Sequence, residues 1–172
     1  MNAVSEVEIT MARVYVSVGS NMGREPNIRS GIAALRRQFA PLVISTVYEN
    51  EPVGFAGEDF FNLVAGFDTG MDVHRVAKCL RQIEFDHGRS SHARKFSPRT
   101  LDLDLLLYDD LVLEEGGLRI PRDDILQCDF VLYPLAEVAG QRRHPQSGIT
   151  FAELWQAFDK GCQRLRPVDL DL

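Results

Sequence analysis

From Arg13 to Val18 the chain alternates, with Val14, Val16 and Val18 set against Tyr15 and Ser17. That is the two-residue period of a strand with one face on a core. Gly19-Ser20-Asn21 then reads as a turn. After Pro26 the apolar residues Ile28, Ile32, Leu35 and Phe39 recur at helical spacing, so a helix is expected over 27–39, stopped by Pro41. Residues 42–48 are rich in β-branched side chains and predict a second strand. A third is predicted over 60–67, with Phe61, Leu63, Ala65 and Phe67 on one face and the Gly-rich loop NEPVGFAGED before it. Asp72 is a candidate N-cap for a second helix that buries Val73, Val76, Ala77, Leu80 and Ile83, and Gly88 is its natural stop. Residues 101–108 form the fourth predicted strand.

The resulting order, β-α-β-β-α-β, predicts an α+β fold of the ferredoxin-like kind, an antiparallel sheet with its helices on one face. A C-terminal extension follows, with short apolar pieces at 111–113, 118–120 and 130–135. A last helix opens at Thr150, where Glu153 completes a capping box, and it buries Phe151, Leu154, Trp155 and Phe158. One domain is expected over 13–160. Residues 1–12 read as a flexible tail in which Met11 is a second candidate start, and residues 161–172 as a C-terminal tail.

A chain of 172 residues, 45% hydrophobic and 26% charged, suits a single domain with its own core. No apolar run approaches the ~20 residues of a membrane helix, and the first residues do not resemble a targeting segment, so a cytoplasmic protein is expected. The net charge of -6 argues against a nucleic-acid partner. Cys79, Cys128 and Cys162 are scattered, and His74, His87, His92 and His144 are isolated, so neither a disulfide framework nor a zinc site is indicated. Charge is uneven, however. HGRSSHARKFSPRT, residues 87–100, carries Arg89, Arg94, Lys95 and Arg99 and no acid, which fits either a solvated loop or a local anionic ligand.

Directly after that basic stretch comes SPRTLDLDLLLY. In a strand, Asp102 and Asp104 point to the same face, their Cα atoms about 6.5 Å apart, while Leu101, Leu103 and Leu105 point to the other. Two facing carboxylates repel and call for compensation, which a magnesium ion shared with substrate phosphates would supply. A merely solvated acidic face is the alternative, and VDLDL near the C-terminus repeats the spacing with Asp169 and Asp171. The neighbouring Arg99 and the basic loop set Asp102 and Asp104 apart from that tail copy, and on these residues alone the metal site and the solvated face weigh about equally. There is no GxxxxGK[ST] loop and no GxGxxG after the first strand. Asn62, among Phe60, Phe61 and Leu63, is either a strand-edge amide or a donor-acceptor pair for a flat heterocycle.

VSVGSNMG, EPVG, DFFN, QIEFDHGR, PRTLDLDLLLY and FVLYPL together resemble the hydroxymethyldihydropterin pyrophosphokinase family over about residues 13–158. PRTLDLDLLLY is the most specific segment. The resemblance implies transfer of the pyrophosphoryl group of ATP to the hydroxymethyl of a dihydropterin, with release of AMP, in folate synthesis. It implies two Mg2+ ions on Asp102 and Asp104, and phosphate-holding, catalytic roles for Arg89 and Arg99. Glu84 and Leu105 would belong to the nucleotide site. Asn62 would read the pterin edge, Phe130 and Phe60 would sandwich its ring, and Asn50, Val53 and Gly54 would complete the pocket. The partners implied are ATP and the pterin, and the protein would be a monomer or weak homo-oligomer.

Several positions depart from the family pattern. Ser91 replaces the second arginine of GRxR, and RKFSPR replaces RWGPR. Arg122, Asp123 and Cys128 stand where relatives carry a histidine after proline, its neighbour, and an arginine before the phenylalanine. Arg94, Lys95 and Arg122 are candidates for the missing positive charge at the nucleotide. A divergent paralogue with altered nucleotide or acceptor use is the alternative reading. An RNA-binding module of the same topology lacks its aromatic, basic strand signature here.

Overall fold

The computed structural model describes residues 9–88, 100–159 and 165–172. At its centre lies β1 (Ala12–Ser20), buried on both faces between β5 (Asp102–Tyr108) and β4 (Phe60–Thr69). β4 carries two short partners, β2 (Val43–Ile44) and β3 (Val47–Asn50), and β8 (Arg166–Val168) closes the far edge against β3. The order β5-β1-β4-β3-β8 is antiparallel at every pairing. With α1 (Arg24–Phe39) and α2 (Val73–Asp86), the first five of these segments make the ferredoxin-like split βαβ arrangement.

One sheet face meets these two helices. Val14, Val16 and Val18 of β1, Leu63, Ala65 and Phe67 of β4, and Leu103 and Leu105 of β5 pack against Ile28, Ile32, Leu35, Val76 and Leu80. Phe39 stacks on Phe67 with ring centroids 4.1 Å apart. Gly31 lets α1 approach the chain entering β5, since a Cβ there would lie 2.8 Å from a Leu101 methyl. The Asp72 side chain accepts the Arg75 N–H at 3.0 Å, the N-cap expected for α2.

The extension builds a second layer on the opposite face. The hairpin β6 (Leu113–Glu115) and β7 (Leu118–Ile120) leads to α3 (Asp124–Gln127), α4 (Asp129–Ala139) and α5 (Phe151–Ala157). Val131, Leu132, Leu135 and Phe151 cover Tyr15, Val64, Leu106 and Leu107. α4 contains the piece read from sequence only as an apolar run. It is apolar around more than one side because it packs on both the sheet and α5, and Pro134 lies within it. The Thr150 capping box forms as expected.

Three local departures shape the sheet. The strand expected over 42–48 breaks into β2 and β3 at Ser45, whose hydroxyl, rather than backbone, accepts the Val64 N–H at 2.9 Å. Residues 166–168, expected within a tail, pair with Val47, Tyr48 and Glu49, and Pro167 is tolerated because β8 is an edge strand. Finally, Val16 pairs with Leu105 but Tyr15 with Leu107, leaving Leu106 as an extra residue. This bulge sends both Leu106 and Leu107 into the second core, whereas Leu103 and Leu105 enter the first.

Candidate active site

Where the second core ends, the same sheet face turns polar. Asp102 pairs with Gly19 and Asp104 with Ser17 across β5 and β1. Gly19 in turn pairs with Asn62 of β4, and Asn62 with Tyr48 of β3. Asp102, Gly19, Asn62 and Tyr48 thus form one row across four strands. Asp102 and Asn62 lie two strand spacings apart, about 10 Å, with only a glycine between them. The spacing read as a metal pair and the amide read as a heterocycle recogniser therefore share one floor.

Asn62 is oriented by its neighbour. Its amide donates to Oδ1 of buried Asn50 at 2.5 Å, and the Asn50 amide donates to the Glu51 carbonyl at 3.0 Å. Gly19 is indispensable to this geometry, because a Cβ there would stand 2.7 Å from Asn62 Oδ1. Next in the row, the Tyr48 hydroxyl donates to Glu137 of α4 at 2.7 Å. Burial and that carboxylate push the phenol well above its usual range, so Tyr48 stays protonated and structural.

The loop 51–59, carrying Val53 and Gly54, is held at its far end. Asn21, itself buried, donates to the Glu58 carbonyl at 3.4 Å. Arg24 donates to the Asp59 carbonyl at 3.1 Å and lies 4.2 Å over the Phe61 ring, and Arg166 donates to Asp59 at 2.7 Å. Gly54 has φ 82°, a conformation that suits glycine, and Val53 is exposed. Phe55 meets Phe60 edge to face at 6.1 Å. Phe130 is half-buried in the first turn of α4.

The residues expected at the nucleotide divide into three groups. Arg89, Arg94, Lys95 and Arg99 lie outside the described residues, as does Ser91. Just before and after that stretch, the Thr100 hydroxyl donates to the His87 carbonyl at 2.6 Å, so the ends of the basic segment are brought together. Glu84, at 2% exposure, accepts the Leu103 N–H at 2.8 Å, which holds β5 between its two aspartates against α2. Leu105 sends its side chain into the first core, on the face opposite to the carboxylates, and has its backbone at the sheet edge.

Arg122 is the third case. Its N–H donates to the Leu106 carbonyl at 3.1 Å, pinning it beside β5. Its guanidinium lies 2.5 Å from Asp124 Oδ2 and 3.5 Å from Asp104 Oδ1. Burial alone would lower its pKa, but Asp104 and Asp124, with Asp102 behind them, outweigh burial and raise it. Asp123 is engaged by Arg119 at 3.0 Å, and Cys128 offers its carbonyl to the first turn of α4.

The donor set fits a hard cation. Two carboxylates project from one strand face, and no cluster of three or more His, Cys, Asp or Glu capable of holding a metal exists among the described residues. Such a pair leaves most of a magnesium shell to water and phosphate oxygens, the way that ion is usually held. Sequence reasoning missed the Gly19-Ser20-Asn21 segment, read only as a turn. Ser20, fully buried, donates to the Thr100 carbonyl at 2.6 Å and so ties the end of β1 to the entrance of β5, while Asn21 grips the 51–59 loop. Three small polar residues at a strand end were the available signal.

The model of the family 7,8-dihydro-6-hydroxymethylpterin-pyrophosphokinase matches residues 15–140. The chain is 37% identical over 159 residues to the 2-amino-4-hydroxy-6-hydroxymethyldihydropteridine pyrophosphokinase of Pseudomonas aeruginosa, covering 89% of this chain and 96% of that one. Its counterpart in Bacillus subtilis is 35% identical over 131 residues, covering 74% and 78%. A Dictyostelium discoideum folic acid synthesis protein is 34% identical over 139 residues, and the chain spans only 21% of its length. Among solved structures, wild-type HPPK-DHPS of Plasmodium falciparum superposes with a TM-score of 0.65 at 12% identity, over 84% of this chain and 43% of that one. An HPPK-DHPS in complex with substrates gives 0.68 at 10% identity, over 86% and 43%. These structural likenesses concern the fold.

Proposed function

The chain belongs to the 7,8-dihydro-6-hydroxymethylpterin-pyrophosphokinase family and is a pyrophosphate-transferring enzyme of folate biosynthesis; we propose that its site works through Asp102 and Asp104 as ligands of two Mg2+ ions that carry ATP. The observation that carries the reading is the row Asp102, Gly19, Asn62, which sets a carboxylate and a recognition amide on one sheet face, two strands apart. Bound there, magnesium would neutralise phosphate charge and polarise the transferred group.

The chain's own residues divide the work. Asn62, aligned by Asn50, reads the edge of the pterin, and Phe60 and Phe130 flank its ring. Val53 and Gly54 close the pocket from the loop that Asn21, Arg24 and Arg166 hold. Arg89 and Arg99, with Arg94 and Lys95, neutralise the phosphates from the segment between His87 and Thr100. In the reaction the pterin hydroxymethyl oxygen attacks Pβ of ATP. The bond from Pβ to the α,β-bridging oxygen breaks, AMP leaves with that oxygen, and the hydroxyl proton passes to water. Positioning and charge neutralisation supply such catalysis without a covalent protein nucleophile.

The test is to incubate the protein with magnesium, ATP and 6-hydroxymethyl-7,8-dihydropterin and to measure AMP. AMP and pterin diphosphate are expected in equal amounts. Asp102→Asn and Asp104→Asn should each lower turnover by about a thousandfold while pterin affinity stays within about threefold. A near-normal rate in either variant would remove the metal role. Pterin binding without any AMP in the wild type would favour altered nucleotide or acceptor use.

A further inference from the structure

We infer that Arg122 is a resident counter-cation of the aspartate pair, one that a divalent ion displaces from Asp104 and that then turns to the phosphates of the incoming nucleotide. The inference rests on reading Asp102 and Asp104 as metal ligands, and it concerns a position where this chain departs from the family pattern.

Three contacts define the device. The Arg122 N–H is bonded to the Leu106 carbonyl, so its backbone cannot leave the edge of β5 without breaking a hydrogen bond. Nε is held by Asp124 at 2.5 Å, and Asp124 is the first residue of α3, away from the strand. Nη2 reaches Asp104 at 3.5 Å, the longer of the two ion pairs. One planar guanidinium therefore spans a close tether and a looser contact with a metal ligand, and the looser contact is the one that yields first.

Charge supplies the direction of the change. Before nucleotide binds, Asp102 and Asp104 bring two negative charges onto one strand face, and Arg122 offsets part of them. A divalent ion competes for the same Asp104 oxygen and repels the guanidinium. Alone, it gains only what remains after that loss. When it arrives with a polyphosphate, the displaced guanidinium finds new anionic partners while Asp124 keeps it beside the site. Arg122 thus penalises metal binding without nucleotide and favours it with nucleotide, which is a coupling between the two ligands. A histidine, the residue the family pattern places here, would be largely neutral near pH 7 and could not hold Asp104 in this way.

Manganese binding, followed by electron paramagnetic resonance of free Mn2+, reads the device without turnover. Wild type, Arg122→Ala, Arg122→Gln and Asp104→Asn are titrated with Mn2+ alone and with Mn2+ plus α,β-methylene-ATP, which cannot release AMP, and melting curves confirm the fold. Without nucleotide, both Arg122 variants should bind Mn2+ about threefold to tenfold more tightly than wild type, an advantage that shrinks with added salt. With the analogue, their advantage should vanish or reverse. Equal or weaker Mn2+ binding by both variants in the absence of nucleotide overturns the inference. Asp104→Asn separates the premise from the inference. If it binds Mn2+ with the analogue as well as wild type does, the metal-ligand reading fails and the inference falls with it. If it binds poorly, the premise stands and the Arg122 variants alone decide.

Discussion

Replacing Gly19 by Ala places a methyl group in the middle of the site's floor. Gly19 lies in regular strand backbone without a positive φ, so the backbone accepts alanine. The clash lies ahead of it. The new Cβ would stand 2.7 Å from Asn62 Oδ1, roughly 0.8 Å inside ordinary contact distance. Asn62 cannot swing away freely, because its amide is bonded to Asn50, which is 3% exposed. Overpacking of this kind costs about 1–3 kcal/mol. Loss of the Asn62 to Asn50 bond adds about 1 kcal/mol, and the gain from replacing glycine within a strand offsets about 0.5–1 kcal/mol. A net loss of about 1–3.5 kcal/mol follows, which in a domain of this size lowers Tm by about 3–10 °C.

The functional effect should be lopsided. Displacing the Asn62 amide removes the group proposed to read the pterin edge, so pterin affinity in isothermal titration should fall tenfold or more, the equivalent of about 1.4 kcal/mol. Affinity for Mg2+ with α,β-methylene-ATP should change by less than about threefold, because Gly19 reaches Asp102 through backbone pairing rather than side-chain contact. A variant with lowered Tm but wild-type pterin affinity would refute the assignment of Asn62 to the pterin. Equal losses for both ligands would refute the division of the floor into two halves.

Glu84→Ala should cost about 1–3 kcal/mol in urea unfolding, because it strips a buried Leu103 N–H of its acceptor, and Glu84→Gln, which keeps an acceptor, should cost less. Ser20→Ala, by freeing the Thr100 carbonyl at the entrance of β5, should lower stability by about 1 kcal/mol and weaken nucleotide binding more than pterin binding; the reverse order would contradict its placement. Burial holds the His144 imidazole below its usual pKa, and its Nδ1 accepts the N–H groups of Gln146 and Ser147. The stability this neutral ring contributes is complete above the unfolded pKa of about 6.5 and declines as pH falls through the native value. His144→Gln should therefore flatten the loss of stability from about pH 7 to pH 5, and an unchanged slope would exclude His144 as its source.

How far such reasoning begins in the sequence depends on the range of the interaction involved. The strands β1, β4 and β5 were legible because their alternation is local and one face of each meets α1 and α2. α4 was not, since Phe130, Val131, Leu132 and Leu135 serve a helix packed on two neighbours and leave little polar period to detect. β8 was hidden for another reason: its partner lies more than a hundred residues away, and Pro167 reads locally as a strand breaker. The bulge at Leu106 is equally invisible, because a run of three leucines does not say which one will be left over.

The candidate site divides along the same line. Asp102, Asp104 and Asn62 stood out as residue types that a half-buried strand tolerates poorly, which is a local signal. That Asp102 and Asn62 share a floor required the register through Gly19, and the registers of two separate pairings cannot be read from either strand alone. Arg122 was legible only as a departure from a pattern, a charge in search of a place. Its place is set by the hairpin that precedes it and by one hydrogen bond to Leu106, and these bring a cation named as a substitute for missing nucleotide contacts to within 3.5 Å of a proposed metal ligand. If Asp104 holds metal as proposed, a compensating charge that sits on it before the nucleotide arrives is no simple stand-in for lost arginines, because it would have to let go of Asp104 before serving the phosphates.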